Sequence, residues 1–336
     1  MRARRYFLDR FIDLRPHKFI ALIAIAVVPA VAAAQSSQDY PVRPIRLVVT
    51  SSAGGSSDTI ARTVADHVGL RLGRNLVIDN RPGAAGRIGY ELVARSAPDG
   101  YTLLHATAGL VIEPAVRKQI PYSVSDFTPV TILGLGYGYL VVVNASSPIR
   151  STKDLIAAGR SEGKPQAFGS SGHGNSLHIA GETFNMRAGT KLLHVPYKGV
   201  GPALSALMSG EIQLMFVPAT VTVQHIASGK LRAIAFTGPK RWADMPGVPT
   251  VAETLPGFDV SGSWHTWFAP LKTSPVFVKK VYQATVDALK NPRIADFIIK
   301  SGYEPDGRSS SETALFMADE VKRYADVVSQ AKIEAQ

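Results

Sequence analysis

Two short turns rich in glycine and serine hold the residues best suited to chemistry. The first, Ser51-Ser52-Ala53-Gly54-Gly55-Ser56-Ser57-Asp58, lies between a buried-strand pattern and an amphipathic-helix pattern. A loop of this composition opening a helix leaves backbone N–H groups unpaired and sets the positive end of the helix dipole beyond the strand's carboxyl end, where an anion is the natural occupant. Taken alone, the turn is equally well explained by a serine cap and a glycine bend. The second turn, Gly169-Ser170-Ser171-Gly172-His173-Gly174-Asn175-Ser176-Leu177-His178, repeats strand, loop and helix about 115 residues downstream. Two such helix starts in separate halves make sense if the halves face each other and hold one ligand between them, a small molecule with at least one carboxylate. Each helix terminus supplies only about 0.3–1 kcal/mol when exposed, so charge-assisted hydrogen bonds of roughly 1.5–3 kcal/mol each must supply more of the affinity.

Enzymatic patterns fail on inspection. A serine-hydrolase elbow needs glycine where His173 stands, and a dinucleotide fingerprint starting at Gly172 needs glycine where Leu177 stands. No phosphate-binding G-x-x-x-x-G-K-[ST] occurs. His178 and Glu182 share a helical face but have no third partner for a metal, and His105, His194, His225 and His265 have no spacing that groups them. Paired catalytic carboxylates are not recognisable. The reading is a binding protein without cofactor or metal, and not an enzyme.

The elements that must position the two turns follow from periodicity. β-branched runs at 45–50, 76–79, 101–106, 140–143, 167–170, 192–195, 212–217 and 231–236 alternate with helical patterns, the sequence form of βαβ units. Ile60, Val64, Val68 and Leu72 recur every fourth residue and give one apolar helix stripe to lay on a sheet. Ser151 before Asp154, and Ser309 before Glu312, have capping-box spacing and mark two later helix starts. Residues 245–257 read as a Pro/Gly-rich surface excursion and 264–269 as a strand returning from it. The helical patterns 276–290, 292–300 and 312–332, with no intervening strand of any length, are expected to pack back onto the first half.

Six basic residues against two acidic ones in the first eighteen positions, an uncharged stretch from Phe19 to Val31, and Ala32-Ala33-Ala34 make an export signal with cleavage expected before Gln35. The apolar stretch is too short for a membrane span, which takes roughly 20 residues. The chain has no cysteine, so it has neither disulfides nor a lipid-anchor site, and a bacterial periplasm is the expected location. Part of the formal net charge of +11 leaves with the leader, and the remaining charges are scattered without a basic run, which argues against nucleic acid. About 300 remaining residues favour two domains.

Six motifs carry a family resemblance: Tyr40-Pro41-Val42-Arg43-Pro44-Ile45, the 54–58 turn, Asn80-Arg81-Pro82-Gly83, Ala97-Pro98-Asp99-Gly100-Tyr101-Thr102-Leu103-Leu104, the turn from Ser170 to His178, and His194-Val195-Pro196-Tyr197-Lys198-Gly199. In order and spacing they resemble the Bug-type receptors, extracytoplasmic solute-binding proteins of tripartite tricarboxylate transporter systems. The resemblance implies an α/β, two-domain type II periplasmic-binding-protein fold whose loops clamp a ligand carboxylate through amides, hydroxyls and ordered waters. Carried over by position, the contacts are Ser51, Ser52, Ala53, Gly54, Gly55, Ser56 and Ser57, then Ser171, Gly172, Gly174, Ser176 and His178, with Thr107 as a further cleft contact.

The departures fall in the pocket. Ser51 replaces a usual aromatic residue, Ser52 and Ala53 a common proline or alanine pair, Ala108 an Asn, Val217 an Asp and His173 a frequent Asn. Together with Trp264, His265 and Trp267 on the returning strand, they suggest a more apolar distal pocket and make an aromatic carboxylate a reasonable ligand alongside di- and tricarboxylates. Core packing is the plainer role for the tryptophans. The expected organisation is a leader at 1–34, a discontinuous first domain at 35–139 plus 264–336, and a second domain at 140–263. A monomer is expected, presenting its ligand to a membrane permease of the tripartite tricarboxylate type or, alternatively, to a sensor kinase.

Overall fold

The computed structural model describes residues 40–163, 165–333 and 335; the expected export leader lies outside the described residues. In chain order the first elements are β1 (Ile45–Val49), α1 (Ser56–Leu72), β2 (Leu76–Asn80), α2 (Arg87–Ala94), β3 (Thr102–Ala106), α3 (Gly109–Val116) and β4 (Phe127–Gly136). A second run follows: β5 (Leu140–Asn144), α4 (Thr152–Arg160), β6 (Ala167–Ser170), α5 (Ser176–Ala188), β7 (Leu193–Pro196), α6 (Val200–Ser209), β8 (Leu214–Val217), α7 (Val223–Ala227) and β9 (Leu231–Phe236). The chain ends with β10 (Trp264–Pro270), α8 (Pro275–Leu289), α9 (Pro292–Lys300), β11 (Tyr303–Pro305) and α10 (Ser310–Gln330).

The described residues form two mixed sheets, ordered β11-β4-β10-β3-β1-β2 and β7-β6-β8-β5-β9. In the first, β2, β1 and β3 are parallel, while β10 joins β3 and β4 antiparallel. In the second, β7, β6 and β8 are parallel and β5 is antiparallel to both β8 and β9. The apolar stripe of α1 behaves as its spacing requires: Ile60, Val64 and Val68 are buried with Ile45, Leu47 and Val49 of β1, and Leu72 is partly buried against them. Helices α8 and α9 complete that cluster through Val281, Ala288 and Ile298, whereas α10 lies on the other face through Met317, Tyr324 and Val328. The C-terminal helices therefore return to the first sheet, as the sequence leads one to expect.

Both capping signals hold. The Ser309 hydroxyl accepts from the Glu312 amide while the Glu312 carboxylate takes the Ser309 N–H, closing the box at the start of α10. At α4, Ser151 accepts from the Asp154 amide, but the Asp154 carboxylate reaches the N–H of Arg150, one residue further back.

Two strands depart from the sequence reading. β4 carries Pro129 near its start and Gly134 and Gly136 at its end, residues that argue against a central strand. It is accommodated because β11 covers only Gly134–Gly136, so at Pro129 the outer edge of β4 needs no ladder partner, and the Ser310 hydroxyl bonds the Pro129 carbonyl instead. β11 is three residues long and lies where no intervening strand is expected; a strand of that length shows no periodicity.

The chain leaves the first sheet after β4 and returns to it at β10. The two connecting segments touch, with Gly136 donating to the Ser263 carbonyl and Gly262 donating to that of Gly136. Further along, the Thr237 hydroxyl accepts from the Tyr139 amide and donates to the Val260 carbonyl.

The second turn is held in place by α5 lying tightly on β6. A Cβ on Gly181 would stand 2.2 Å from the Phe168 ring, which is fully buried. Alanine normally stabilises a helix interior by about 1 kcal/mol over glycine. Gly181→Ala should reverse that sign and destabilise by roughly 1–3 kcal/mol, because the ring has nowhere to move; urea denaturation checks this, and a gain in stability would show that α5 can lift off β6.

Candidate functional site

The first turn, Ser51–Gly55, leaves the carboxyl end of β1. Its anchor is Asp58, which is buried in the first turn of α1 and accepts from the Gly54 amide, Arg62 Nε and Asn80 Nδ2 at 2.8–2.9 Å. Asn80, the last residue of β2, also donates to the Ser51 carbonyl. Burial alone would raise the Asp58 pKa, but the hydrogen bonds from Arg62, Gly54 and Asn80 outweigh it and hold the carboxylate below its usual range. Gly55, the residue before α1, is extended, and no side chain caps it among the described residues. The first-turn amides of Ser56 and Ser57 therefore have no helical partner. Beside them the hydroxyl oxygens of Ser51 and Ser57 are buried with no hydrogen-bond partner among the described residues. Ser52, Ala53 and Gly54 are exposed, and Ser56 is half-buried.

The second turn, Ser171–Asn175, leaves the carboxyl end of β6 and is built differently. Asn175 caps α5: its side-chain oxygen accepts from the amides of Leu177 and His178 while its Nδ2 ties down Ser171 Oγ and the Gly172 carbonyl. Two amides that the sequence offers to a ligand are thus already satisfied. Gly172 and Gly174 have positive φ of 143° and 76°, a conformation that suits glycine. The Gly174 amide donates to His178 Nδ1, which leaves the His178 proton on Nε2, 3.7 Å from Glu182. His178 is buried beneath the turn and stacks on His194 at 3.8 Å. Ser170 Oγ meets His194 Nε2 at 2.6 Å and donates to the Gly172 carbonyl, so His194 is the donor in that pair. His173 completes a cluster of three imidazoles, its ring 4.7 Å from that of His178, and its Nδ1 is buried without a partner among the described residues. Burial, with its neighbours adding to the effect, takes His178 down to about 2 and His194 to about 4, and burial with Arg117 lowers His173. No group of three or more potential ligands among the described residues can hold a metal.

The second turn meets the first sheet's layer at α3. A Cβ on Gly174 would stand 2.6 Å from Val116 of α3, so the second turn abuts the first layer. There Glu113 is fully buried, with Oε2 unpartnered among the described residues; burial raises its carboxyl against the pull of Arg117 and Arg87. Tyr139, at the start of β5, sets its buried hydroxyl between Ser176 and Ser263 without a hydrogen bond among the described residues. Ser263 accepts the Ala108 amide just after Thr107, which is half-buried at the end of β3. Tyr303 lies between Tyr139 and the Ser56 hydroxyl, so two tyrosines span from the start of α1 to the start of α5.

Val217 and Trp264 are also candidate contacts by position. Val217 is fully buried at the end of β8 in the cluster holding Leu140 and Met215. Trp264 packs among Phe268 and Met317, and its indole N–H donates to Glu320 at 2.9 Å. Asp58, Asn80, Glu113, Tyr139, Asn175, His194 and Tyr303 also lie in or beside the two turns. His194 comes beside the second turn because β7 pairs with β6, setting His194 opposite Phe168.

Two mixed sheets, each with a glycine- and serine-rich turn at the carboxyl end of a strand, match the architecture of periplasmic binding proteins among solved structures. The periplasmic binding protein BugD superposes with a TM-score of 0.83 at 30% identity, covering 88% of this chain and 100% of its own. An R. palustris protein solved with adipate superposes with a TM-score of 0.84 at 31% identity, covering 88% and 99%. Protein BugT of Bordetella pertussis is 34% identical over 316 residues, 93% of this chain and 96% of BugT. The family model described as tripartite tricarboxylate transporter family receptor matches residues 60–333, and the chain belongs to that family of solute-binding proteins. Its fold is the two-domain type II periplasmic-binding-protein fold with a ligand cleft.

Neutral imidazoles have a consequence for acid stability. His105, which burial takes down to about 3, together with His173, His178, His194 and His265, resists protonation when folded. The unfolded chain takes up these protons below about pH 6.5, so their contribution is fully present above that pH and is lost toward pH 4. Each buried imidazole contributes at most about 1.4 kcal/mol per pH unit in that window. The lowered Asp58 and Asp79 act in the same direction at lower pH, and the raised Glu113 and Glu182 oppose it. Melting temperature should fall steeply from pH 6.5 to 4.5; greater stability at pH 5 than at pH 7 would show that the histidines are charged in the folded protein.

Proposed function

We propose that this chain captures a dicarboxylate in the cleft between two α/β domains, 35–139 with 264–336 and 140–263, and passes it unchanged to a membrane permease of the tripartite tricarboxylate type. The carrying observation is the set of buried polar atoms without partners among the described residues: Ser51 Oγ and Ser57 Oγ on one turn, His173 Nδ1 on the other and Tyr139 OH between them. Buried polar groups are nearly always hydrogen-bonded, and a cleft that leaves several unmet at the ends of two sheets is organised for a polar ligand. One ligand carboxylate sits on the first turn, where Ser51, Ser57 and the amides opening α1 are all donors. Ser52, Ala53, Gly54, Gly55 and Ser56 shape that end, and Ser171, Gly172, Gly174, Ser176, His178 and Thr107 frame the rest. The adipate in the R. palustris relative supports the ligand class. The setting is the periplasm. The domains close around the ligand by bending at the paired segments near Gly136 and Gly262, and the closed form is what the permease recognises. No catalytic step is involved.

A thermal-shift screen of the protein from Gln35 tests this reading. At 100 times its dissociation constant a ligand adds about 2.7 kcal/mol of stability, so adipate and related dicarboxylates should raise the melting point by several degrees while neutral sugars and amines leave it unchanged. Ser57→Ala should weaken dicarboxylate binding about 5- to 30-fold, the equivalent of roughly 1–2 kcal/mol. A sugar or amine that stabilises the protein where no acid does would overturn the ligand class. Recovery of an altered acid after incubation would overturn the non-enzymatic reading.

A further inference from the structure

Beneath the first turn, on the face of the sheet covered by α1, a row of side chains crosses the strands just before their carboxyl edge. Register places Asn80 of β2 opposite Val49 of β1, and Val49 opposite His105 of β3. His105 is bonded to His265 of β10, and the His265 ring meets that of Tyr303 on β11. β4 lies between β10 and β11, and its residue opposite His265 is Gly134. A Cβ there would stand 3.1 Å from Tyr303 Cβ and 3.2 Å from Ile298, so the absence of a side chain lets the two rings meet across the intervening strand.

The direction of each N–H from Trp267 through His105 to His265 is determined. The Trp267 indole can only donate, and its Nε1–H points to His105 Nδ1 at 3.0 Å. His105 therefore accepts at Nδ1 and, being neutral, carries its proton on Nε2. That nitrogen lies 3.0 Å from His265 Nδ1, which must accept. The His265 proton is thereby forced onto Nε2, where the buried N–H has no hydrogen-bond partner among the described residues. What it has is the Tyr303 ring, with centroids 4.6 Å apart and planes at 62°, an edge-to-face arrangement in which an N–H can rest on a π face. The Tyr303 hydroxyl lies beside that of Ser56 in the opening turn of α1.

We propose that His265 is a positioning residue for ligand capture: its Nε2–H, locked in place by His105 and Trp267, seats the Tyr303 ring so that the phenol hydroxyl meets Ser56 at the carboxylate end of the cleft. The inference rests on the binding reading above. His265 touches no ligand itself. It delivers a donor of fixed direction from the core to the edge of the site, and Tyr303 carries the effect to the turn.

Two amide replacements separate this role from plain packing. Gln places its N–H₂ near the imidazole Nε2 and loses the Nδ1 acceptor; Asn keeps an acceptor near Nδ1 and loses the distal donor. Calorimetric titration with adipate should give His265→Gln within about threefold of the parent and His265→Asn about tenfold weaker, with Tyr303→Phe matching the Asn variant. The opposite order, Asn tight and Gln weak, would mean that His265 serves only to satisfy His105, and the proposal would fall. Nitrogen-15 NMR of the parent protein at pH 7 gives a reading that needs no variant to fold and no ligand to bind: both imidazoles should show the Nε2–H tautomer. An Nδ1–H tautomer at His265 overturns the relay. If the parent binds no carboxylate, it is the ligand class that fails, and the NMR result still decides the relay.

Discussion

The two segments that join the sheets run so close together at Gly136 and Gly262 that neither position has room for a Cβ, which would stand 2.5 Å from the Ser263 carbonyl in one case and 3.0 Å from Gly136 in the other. Backbone packs directly on backbone there, and the hydrogen bonds between the segments are main-chain bonds that no side-chain rotamer can loosen. Thr237 repeats the tie a few residues further on, using its hydroxyl as both donor and acceptor. Because β4 runs into one segment and β10 starts from the other, this contact sets where Tyr139, Ser263 and the opening of β10 stand.

The two helix starts share one position in the fold and use it in opposite ways. α1 is anchored from its side by Asp58, which takes a loop amide and leaves the helix's own leading amides without a side-chain cap. α5 satisfies its leading amides with Asn175 and presents imidazole and hydroxyl groups instead. The charge on Asp58, close to where an anion belongs, is balanced by Arg62 one helical turn away. The remaining groups around the turns are largely neutral under physiological conditions: tyrosines whose ionisation burial suppresses and imidazoles that burial keeps unprotonated. Formal cations stand behind them, Arg117 near His173 and Arg323 near Tyr139, so an anion between the turns would meet oriented dipoles first and these charges at longer range.

Much of this was legible in the sequence wherever the signal is local. Strand runs, the α1 stripe, the caps at Ser151 and Ser309 and the two turns depend on residues within a few positions of one another. β4 was obscured because Pro129 and its glycines speak against a strand, and only the neighbouring elements explain why they are tolerated. The histidines were illegible for another reason: His105 and His265 are 160 positions apart and join through strand pairing, and His194 reaches His178 through the register of β6 and β7. A capping asparagine is readable in principle, since Asn175 directly precedes a helix, yet its presence turns a supposed ligand-facing helix start into a closed one.

β4 and β10 are hydrogen-bonded neighbours, so the ladder of the first sheet is continuous without any residue from 137 to 263. Topologically the second sheet is an insertion into a hairpin whose two arms already pair. Half of the cleft can therefore change its loops, or be exchanged for a relative's, without reordering the strands of the other half. Sequence change can accumulate on the inserted side while the first sheet, with Asp58, Asn80 and the buried row ending at Tyr303, keeps its own turn unchanged.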